Sequence, residues 1–265
     1  MHAFNYVKPT SLAEASDTIA RAMDATVLAG GQTLLPTMKL RLAAPSDLVD
    51  LGGIPELQEM SVAGGNVVLG AMVRHAQVAA SDEIKGALPA LASLANGIGD
   101  QAVRNRGTVG GSLANNDPAA DYPGAALALG ATIQTAEREL VADDFFTGLF
   151  ETALTPGEII RKVLFPIPEK AAYAKFPNPA SRYAMVGVFV AKFSEGVRVA
   201  VTGAGNAGVF RVPEYESGLA SNFSPDAIAD GVVPPENLNS DLHADAEYRA
   251  HLIGVMARRA VAACA

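Results

Sequence analysis

Residues 97–121 are dense in glycine and small polar residues, and they include the adjacent pair Gly110-Gly111. Because glycine has no Cβ, its backbone can adopt positive φ and approach a ligand closely, so that successive N–H groups converge on an anion. A phosphate-bearing cofactor is the ligand that this composition favours. A glycine pair also forms ordinary tight turns, and for Gly110-Gly111 taken alone that interpretation is the more common one.

Residues 203–208, Gly-Ala-Gly-Asn-Ala-Gly, match the dinucleotide motif G-x-G-x-x-G after a strand-like segment at 197–202. A Rossmann site requires a helix directly after these glycines, but Val209–Val212 and Pro213 follow instead. Residues 97–102 match a relaxed form of the motif, although an apolar helix precedes them. No G-x-x-x-x-G-K-[ST] sequence is present. We therefore expect neither a Rossmann dinucleotide site nor ATP hydrolysis.

Other catalytic and metal-binding chemistry has little support in the composition. Cys264 is the only cysteine, so the chain can form no internal disulfide and cannot supply four thiolates to an iron–sulfur cluster. The four histidines are widely spread, without the spacing of a metal site. We expect no metal in this chain and assign no residue as a catalytic acid or nucleophile.

The net charge of −8 disfavours nucleic acid or an anionic membrane as the main partner, because such surfaces attract clustered Lys and Arg. No apolar run approaches the roughly 18 residues of a membrane span, and the N-terminus lacks a basic segment followed by an apolar core. A protein without a membrane span, located in the cytoplasm, is the expectation.

Hydrophobic periodicity predicts mixed helices and strands over the 265 residues. Pro166 and Pro168 mark a domain boundary. Before it we expect helices near 11–23, 84–96 and 122–130, strands at 26–29, 47–51, 132–135 and 159–165, and a hairpin turning at 63–66. After it we expect strands at 183–193, 197–202 and 209–212 and a terminal packing helix. The chain length and this boundary predict two domains.

Two glycine segments, Ala29-Gly30-Gly31-Gln32-Thr33 and Thr108-Val109-Gly110-Gly111-Ser112, precede Asp121 in an order and separation that resemble a known family. The chain resembles the FAD-binding medium subunits of molybdenum hydroxylases, especially the carbon monoxide dehydrogenase medium-subunit family. Residues 38–41, 104–107, 180–188 and 240–249 also fit that family's pattern. The resemblance covers nearly the whole chain.

The resemblance implies a fold of the vanillyl-alcohol oxidase/MurB-like (PCMH-type) superfamily. A two-lobed FAD-binding unit would occupy residues 1–167, with lobes at approximately 1–53 and 54–167, and FAD would lie between them. A small C-terminal α+β domain with an antiparallel sheet would occupy residues 168–265.

The resemblance also implies the cofactor-binding residues. The two glycine segments would surround the FAD phosphates through backbone N–H groups and short hydroxyl side chains. Gln32 stands where many relatives have His, and Thr33 where many have Ser; both keep hydrogen-bonding capacity. The full set is Ala29, Gly30, Gly31, Gln32, Thr33, Thr108, Val109, Gly110, Gly111, Ser112, Asp121, Ile160 and Tyr183.

Several members of this set have an ordinary structural alternative. Asp121 would accept from ribose hydroxyls or organise the glycine loop, or else be a helix cap or solvated loop residue. Tyr183 would pack near the isoalloxazine or only within its strand, and Ile160 would line the flavin pocket or belong to the core. Arg104 and Arg106 would neutralise phosphate, face a partner or be solvated loop charges.

The function implied by the resemblance is electron transfer. A large partner subunit would carry the molybdenum cofactor and oxidise substrate, a small partner subunit would carry two [2Fe–2S] clusters, and this FAD subunit would pass electrons to an external acceptor, within a dimer of heterotrimers. One alternative is a free-standing FAD-dependent oxidoreductase that acts directly on a small substrate. Another is a non-redox nucleotide-binding module.

Overall fold

A computed structural model describes residues 1–264 of the chain. It begins with a parallel three-stranded sheet in the order β1-β3-β2. The elements are β1 (Asn5–Val7), α1 (Leu12–Arg21), β2 (Ala25–Leu28), α2 (Leu34–Lys39) and β3 (Asp47–Asp50). At the start of α1, Ser11 Oγ accepts from Glu14 N, and the Glu14 carboxylate accepts from Thr10 N. The predicted first helix is thereby confirmed, and Ser11 caps its N-terminus.

The next region forms an antiparallel five-stranded sheet in the order β4-β5-β10-β6-β7. Gly64 and Gly65, both at positive φ, form the predicted turn between β4 and β5. The predicted helix over 84–96 is two helices, because Pro89 starts a new helix after Leu88. The elements are β4 (Met60–Ala63), β5 (Asn66–Gly70), α3 (His75–Ala80), α4 (Asp82–Ala87), α5 (Pro89–Asn96), α6 (Gln101–Arg104), α7 (Val109–Asn115), α8 (Asp121–Leu129), β6 (Thr132–Thr135), β7 (Glu139–Val141), α9 (Ala142–Phe145), β8 (Phe146–Gly148), β9 (Glu151–Thr152) and β10 (Ile160–Pro166).

The last region is an antiparallel sheet in the order β11-β12-β13-β14, followed by two helices. Its first strand, β11, was not predicted, because its alanines and lysines do not alternate with apolar residues as they would in a typical half-buried strand. Residues 203–208 connect β13 to the antiparallel β14. Although they match G-x-G-x-x-G, they do not form the strand-to-helix turn of a Rossmann fold. The elements are β11 (Lys170–Pro177), β12 (Ala184–Phe193), β13 (Gly196–Thr202), β14 (Phe210–Arg211), α10 (Pro213–Ser221) and α11 (Ala246–Ala263).

Helix α8 is buried along its whole length and packs against β10 on one side and β12 and β13 on the other. The two faces of β12 serve different cores: Phe189 joins the core around α8, whereas Val188 and Val190 join the core under α11. The division of the chain at residues 167/168 stays a prediction. Within residues 1–264, none of the helices combines the length and apolar character that crossing a membrane requires.

Candidate functional site

A cavity of about 580 Å³ opens between the parallel sheet and the five-stranded sheet. Its walls come from the end of β2, the segment from Ile98 to Asp121, the start of β10, and the turn between β11 and β12. Twelve of the thirteen residues that the sequence assigned to the cofactor line it: Ala29, Gly30, Gly31, Gln32, Thr33, Thr108, Gly110, Gly111, Ser112, Asp121, Ile160 and Tyr183. Residues distant in the chain therefore meet at one concave site.

The first glycine segment lines the cavity and has a row of unused backbone donors. Among residues 1–264, no backbone or side-chain acceptor takes a hydrogen bond from the N–H groups of Gly30, Gly31, Gln32 or Thr33. Gly31 has a φ of 71°, in the region that favours glycine. Successive unpaired N–H groups form an anion-binding concavity. This segment fits a phosphate group.

The second glycine segment forms the first turn of α7, and four of its five backbone donors are already paired within the protein. Val109 N donates to Val73 O at 3.0 Å, Gly110 N to Ala71 O at 2.9 Å, Gly111 N to Thr108 Oγ1 at 3.1 Å and Ser112 N to Thr108 O at 3.0 Å. Among residues 1–264, Thr108 N has no hydrogen-bond acceptor, and phosphate binding by this segment stays a prediction. Thr108 and Ser112, which carry hydroxyl side chains, both line the cavity.

Val109 is the one assigned residue that does not reach the cavity. Its side chain is fully buried in the main core. Its placement offers a ligand neither a side-chain contact nor a donor.

Close packing explains why glycine is needed at both segments. A Cβ on Gly30 would lie 2.8 Å from Gly107 Cα and nearer still to Arg106 O. A Cβ on Gly110 would lie 2.8 Å from Ala71 O. The first segment therefore packs directly on the backbone of residues 106–107 and the second on Ala71, and glycine is what permits both close approaches.

Asp121 begins α8 with its side chain buried at the cavity wall. Its Oδ1 accepts from Tyr173 OH at 2.5 Å and from Lys175 Nζ at 2.9 Å. Burial raises the pKa of Asp121 above its usual range, while Lys175 and Tyr173 oppose that rise. The residue is neither a solvated loop carboxylate nor a side-chain helix cap.

Comparison with known proteins decides the family. A family model described as the FAD binding domain in molybdopterin dehydrogenase matches residues 2–168, more than half of the chain. The chain belongs to the FAD-binding family of molybdopterin dehydrogenases. FAD is therefore its cofactor, and the cavity is the candidate FAD site.

Full-length relatives support this assignment. The chain is 36% identical to the nicotine 6-hydroxylase medium subunit of Paenarthrobacter nicotinovorans, covering 98% of this chain and 96% of the relative. It is 33% identical to the carbon monoxide dehydrogenase medium chain of Hydrogenophaga pseudoflava, covering 97% and 96%. The crystal structure of quinoline 2-oxidoreductase from Pseudomonas putida 86 superposes with a TM-score of 0.89 at 31% identity, over 99% of this chain and 96% of that chain.

The remaining assigned residues of the FAD site sit at its edges. Ile160 is 5% exposed where β10 begins, whereas Tyr183 is 48% exposed in the turn before β12. Arg104 Nη1 donates to Ile98 O at 2.9 Å, so this guanidinium braces a cavity wall. Neither Arg104 nor Arg106 lines the cavity.

Glu158 lines the candidate FAD site and was missed by sequence reasoning. Its buried carboxylate accepts from Arg138 Nε at 2.9 Å and Nη2 at 2.8 Å, and from Thr155 N at 2.9 Å. The Arg138 guanidinium lowers the pKa of Glu158 to about 2. This forked pair fixes the turn that leads into β10. Other missed lining residues are Thr26, Thr37, His75, Asp117 and Arg182.

His75 is the missed residue whose chemistry is most unusual. It starts α3, is 5% exposed, and its ring centroid lies 5.3 Å from that of Tyr122. Its Nδ1 is buried without a hydrogen-bond partner among residues 1–264. Burial lowers the pKa of His75 to about 4, with a smaller contribution from Arg104. A neutral imidazole therefore lines the FAD site at neutral pH.

The buried His75 should make the FAD-free chain less stable in mild acid. Its pKa is lower in the folded chain than the unfolded value of about 6.5, so the unfolded state binds more protons as the pH falls from about 6.5 to about 4. Relative to His75→Gln, the wild-type chain should lose on the order of 3 kcal/mol of unfolding free energy across that window. Urea unfolding of both proteins at several pH values measures the difference.

The control for this experiment is His251→Gln, which replaces an exposed histidine of α11. This variant should keep the pH dependence of the wild-type chain. If wild type and His75→Gln lose stability in parallel, His75 is not buried in its neutral form.

Proposed function

We propose that this chain is the electron-transfer subunit of a molybdenum hydroxylase complex. It relays electrons from [2Fe–2S] clusters in a small partner subunit to an external acceptor, while a large partner subunit with the molybdenum cofactor oxidises the substrate. The observation that carries the proposal is the row of unpaired N–H groups at Gly30–Thr33, residues that line a cavity in a chain of the FAD-binding family. A single cysteine agrees with placing the clusters in another chain.

Different residues of the cavity bind different parts of FAD. The N–H groups of residues 30–33 bind phosphate, and the hydroxyls of Thr108 and Ser112 complete that end from the opposite wall. Asp121 accepts a hydrogen bond from a cofactor hydroxyl, and Ile160 and Tyr183 contact its less polar parts. Bound FAD supplies the redox chemistry, while the chain binds it, orients it and limits its contact with water.

The partners follow from the relatives. The medium chains and subunits to which this chain is similar are named as parts of larger enzymes. We extend the proposal to a dimer of heterotrimers located in the cytoplasm. No residue of this chain is assigned to substrate oxidation.

Native co-purification tests the proposal. The chain should be isolated with a larger and a smaller subunit, and analysis of the separated subunits should find FAD in this chain, molybdenum in the large one and iron in the small one. Isolation of the chain without either redox partner would contradict the assembly.

Two outcomes would favour the alternatives. If a small substrate bleaches the bound flavin of the isolated chain, the protein is a free-standing flavoenzyme. If the correctly folded chain takes up no FAD, the cavity belongs to a non-redox binding module.

A further inference from the structure

Strand β11 of the C-terminal sheet reaches the wall of the FAD site through two side chains. Tyr173 and Lys175 are two residues apart, so they project from the same face of the strand. Both donate to the same oxygen, Asp121 Oδ1, at 2.5 Å and 2.9 Å. A carboxylate of the FAD site is therefore held from a sheet that contributes little else to the cavity.

Lys175 joins two parts of the cavity wall. Besides Asp121, its Nζ donates to Gly97 O at 2.9 Å. The following residues, Ile98 and Gly99, line the cavity. The Lys175 side chain is 10% exposed, so this ion pair lies largely out of water, where electrostatic interactions are weakly screened.

The neighbouring strand is shaped to admit Tyr173. A Cβ on Gly187 would lie 3.0 Å from Tyr173 Cε2 and closer to the hydroxyl oxygen. The Tyr173 ring stacks on the fully buried Phe189, with centroids 6.0 Å apart. The hydroxyl that reaches Asp121 is thus held by a packed ring.

We propose that Tyr173 and Lys175 are positioning residues for FAD, which hold Asp121 by its Oδ1 and leave Oδ2 to accept a hydrogen bond from the cofactor. Neither side chain bonds to Oδ2, and Asp121 lines the cavity. Lys175 also supplies a positive charge that opposes the rise in the pKa of this buried carboxylate. This inference rests on the proposed function, because it requires FAD in the cavity.

The test is FAD affinity, measured by fluorescence titration of the full chain after removal of FAD. Lys175→Met should raise the Kd of FAD by roughly tenfold or more, since Asp121 loses its charge partner and its fixed orientation. Tyr173→Phe, which removes only a hydroxyl, should raise the Kd by about threefold to tenfold. Lys170→Met is the matched control, because Lys170 is exposed on the same strand; its Kd should equal that of the wild type.

Two further measurements separate positioning from general stabilisation. In the Asp121→Asn background, Lys175→Met should change the Kd by less than about twofold, because the two residues act through one contact. In Lys175→Met alone, FAD binding should weaken as the pH falls, because an isolated buried carboxylate binds a proton more readily. That pH dependence should vanish in the double variant and be reduced in Lys175→Arg, which restores the positive charge.

The outcomes distinguish this inference from the proposed function. If the wild-type chain binds FAD while Lys175→Met and Tyr173→Phe bind it equally well, the positioning role is wrong and the flavoprotein assignment stands. Equal Kd increases from Lys175→Met in the wild-type and Asp121→Asn backgrounds would also overturn it. If Lys175→Met fails to fold, Tyr173→Phe decides by itself. A folded wild-type chain that binds no FAD overturns the proposed function instead.

Discussion

Gly30→Ala should abolish measurable FAD binding, with a Kd at least about 100-fold above that of the wild-type chain. The added Cβ would lie 2.8 Å from Gly107 Cα and nearer still to Arg106 O, and both atoms belong to backbone that no rotamer change can move. The first glycine segment would have to withdraw, which would displace the unpaired N–H groups of residues 30–33. Overpacking of this kind also costs about 1–3 kcal/mol of stability. Flavin fluorescence titration and urea unfolding measure the two effects.

Gly86→Ala is the control for this prediction. Gly86 lies within α4, and a Cβ there would meet no atom within 4 Å. Since alanine favours helix over glycine by roughly 0.5–1 kcal/mol, the variant should be slightly more stable and bind FAD normally. A wild-type Kd for Gly30→Ala would show that the close approach of Gly30 to residues 106–107 is not needed for binding.

Arg249→Met should produce the largest loss of stability outside the cavity. Arg249 is 3% exposed on α11, and its Nη1 donates to Met185 O at 2.7 Å and Gly203 O at 3.0 Å. Its Nη2 donates to Asp241 Oδ2 at 2.8 Å. Methionine fills similar space but leaves two carbonyls without their donor. Because each buried unsatisfied group costs about 1–3 kcal/mol, we expect the unfolding free energy to fall by roughly 3 kcal/mol.

Two variants set the scale for that loss. Arg259→Met replaces an exposed arginine of the same helix and should change the unfolding free energy by no more than about 0.5 kcal/mol. Asp241→Asn should cost less than about 1 kcal/mol, since the Asp241 side chain is 47% exposed and its ion pair is screened. If Arg249→Met unfolds like Arg259→Met in urea, the buried hydrogen bonds do not hold α11 against the sheet.

Local sequence signals predicted the fold where the physical cause was local. The Gly64-Gly65 turn follows from the backbone freedom of glycine, and the start of α1 follows from the Ser11 cap. Strand β11 was not predicted because its three alanines and two lysines give neither the apolar run of a buried strand nor the periodicity of an amphipathic helix. Its identity as a strand depends on pairing with β12, which no short window of sequence contains.

The same distinction applies to the site. A glycine pair identified each segment in the sequence. Only the tertiary structure shows that the N–H groups of residues 30–33 are unpaired, whereas two N–H groups at the start of α7 donate to the carbonyls of Ala71 and Val73. His75 and Glu158 carried no motif, since their importance comes from burial and from partners distant in the chain. Family resemblance supplied Asp121, Ile160 and Tyr183, which the spacing of residue types alone would not have selected.

The burial of α8 on every side has a consequence for how the chain unfolds. This helix begins with Asp121 at the FAD site and is covered by β10 on one side and by β12 and β13 on the other. A fragment ending at residue 167 would keep the helix but expose its apolar side to water. The two parts of the chain that meet at residue 167 should therefore unfold together. We expect thermal unfolding in a single transition, and bound FAD should raise its midpoint temperature.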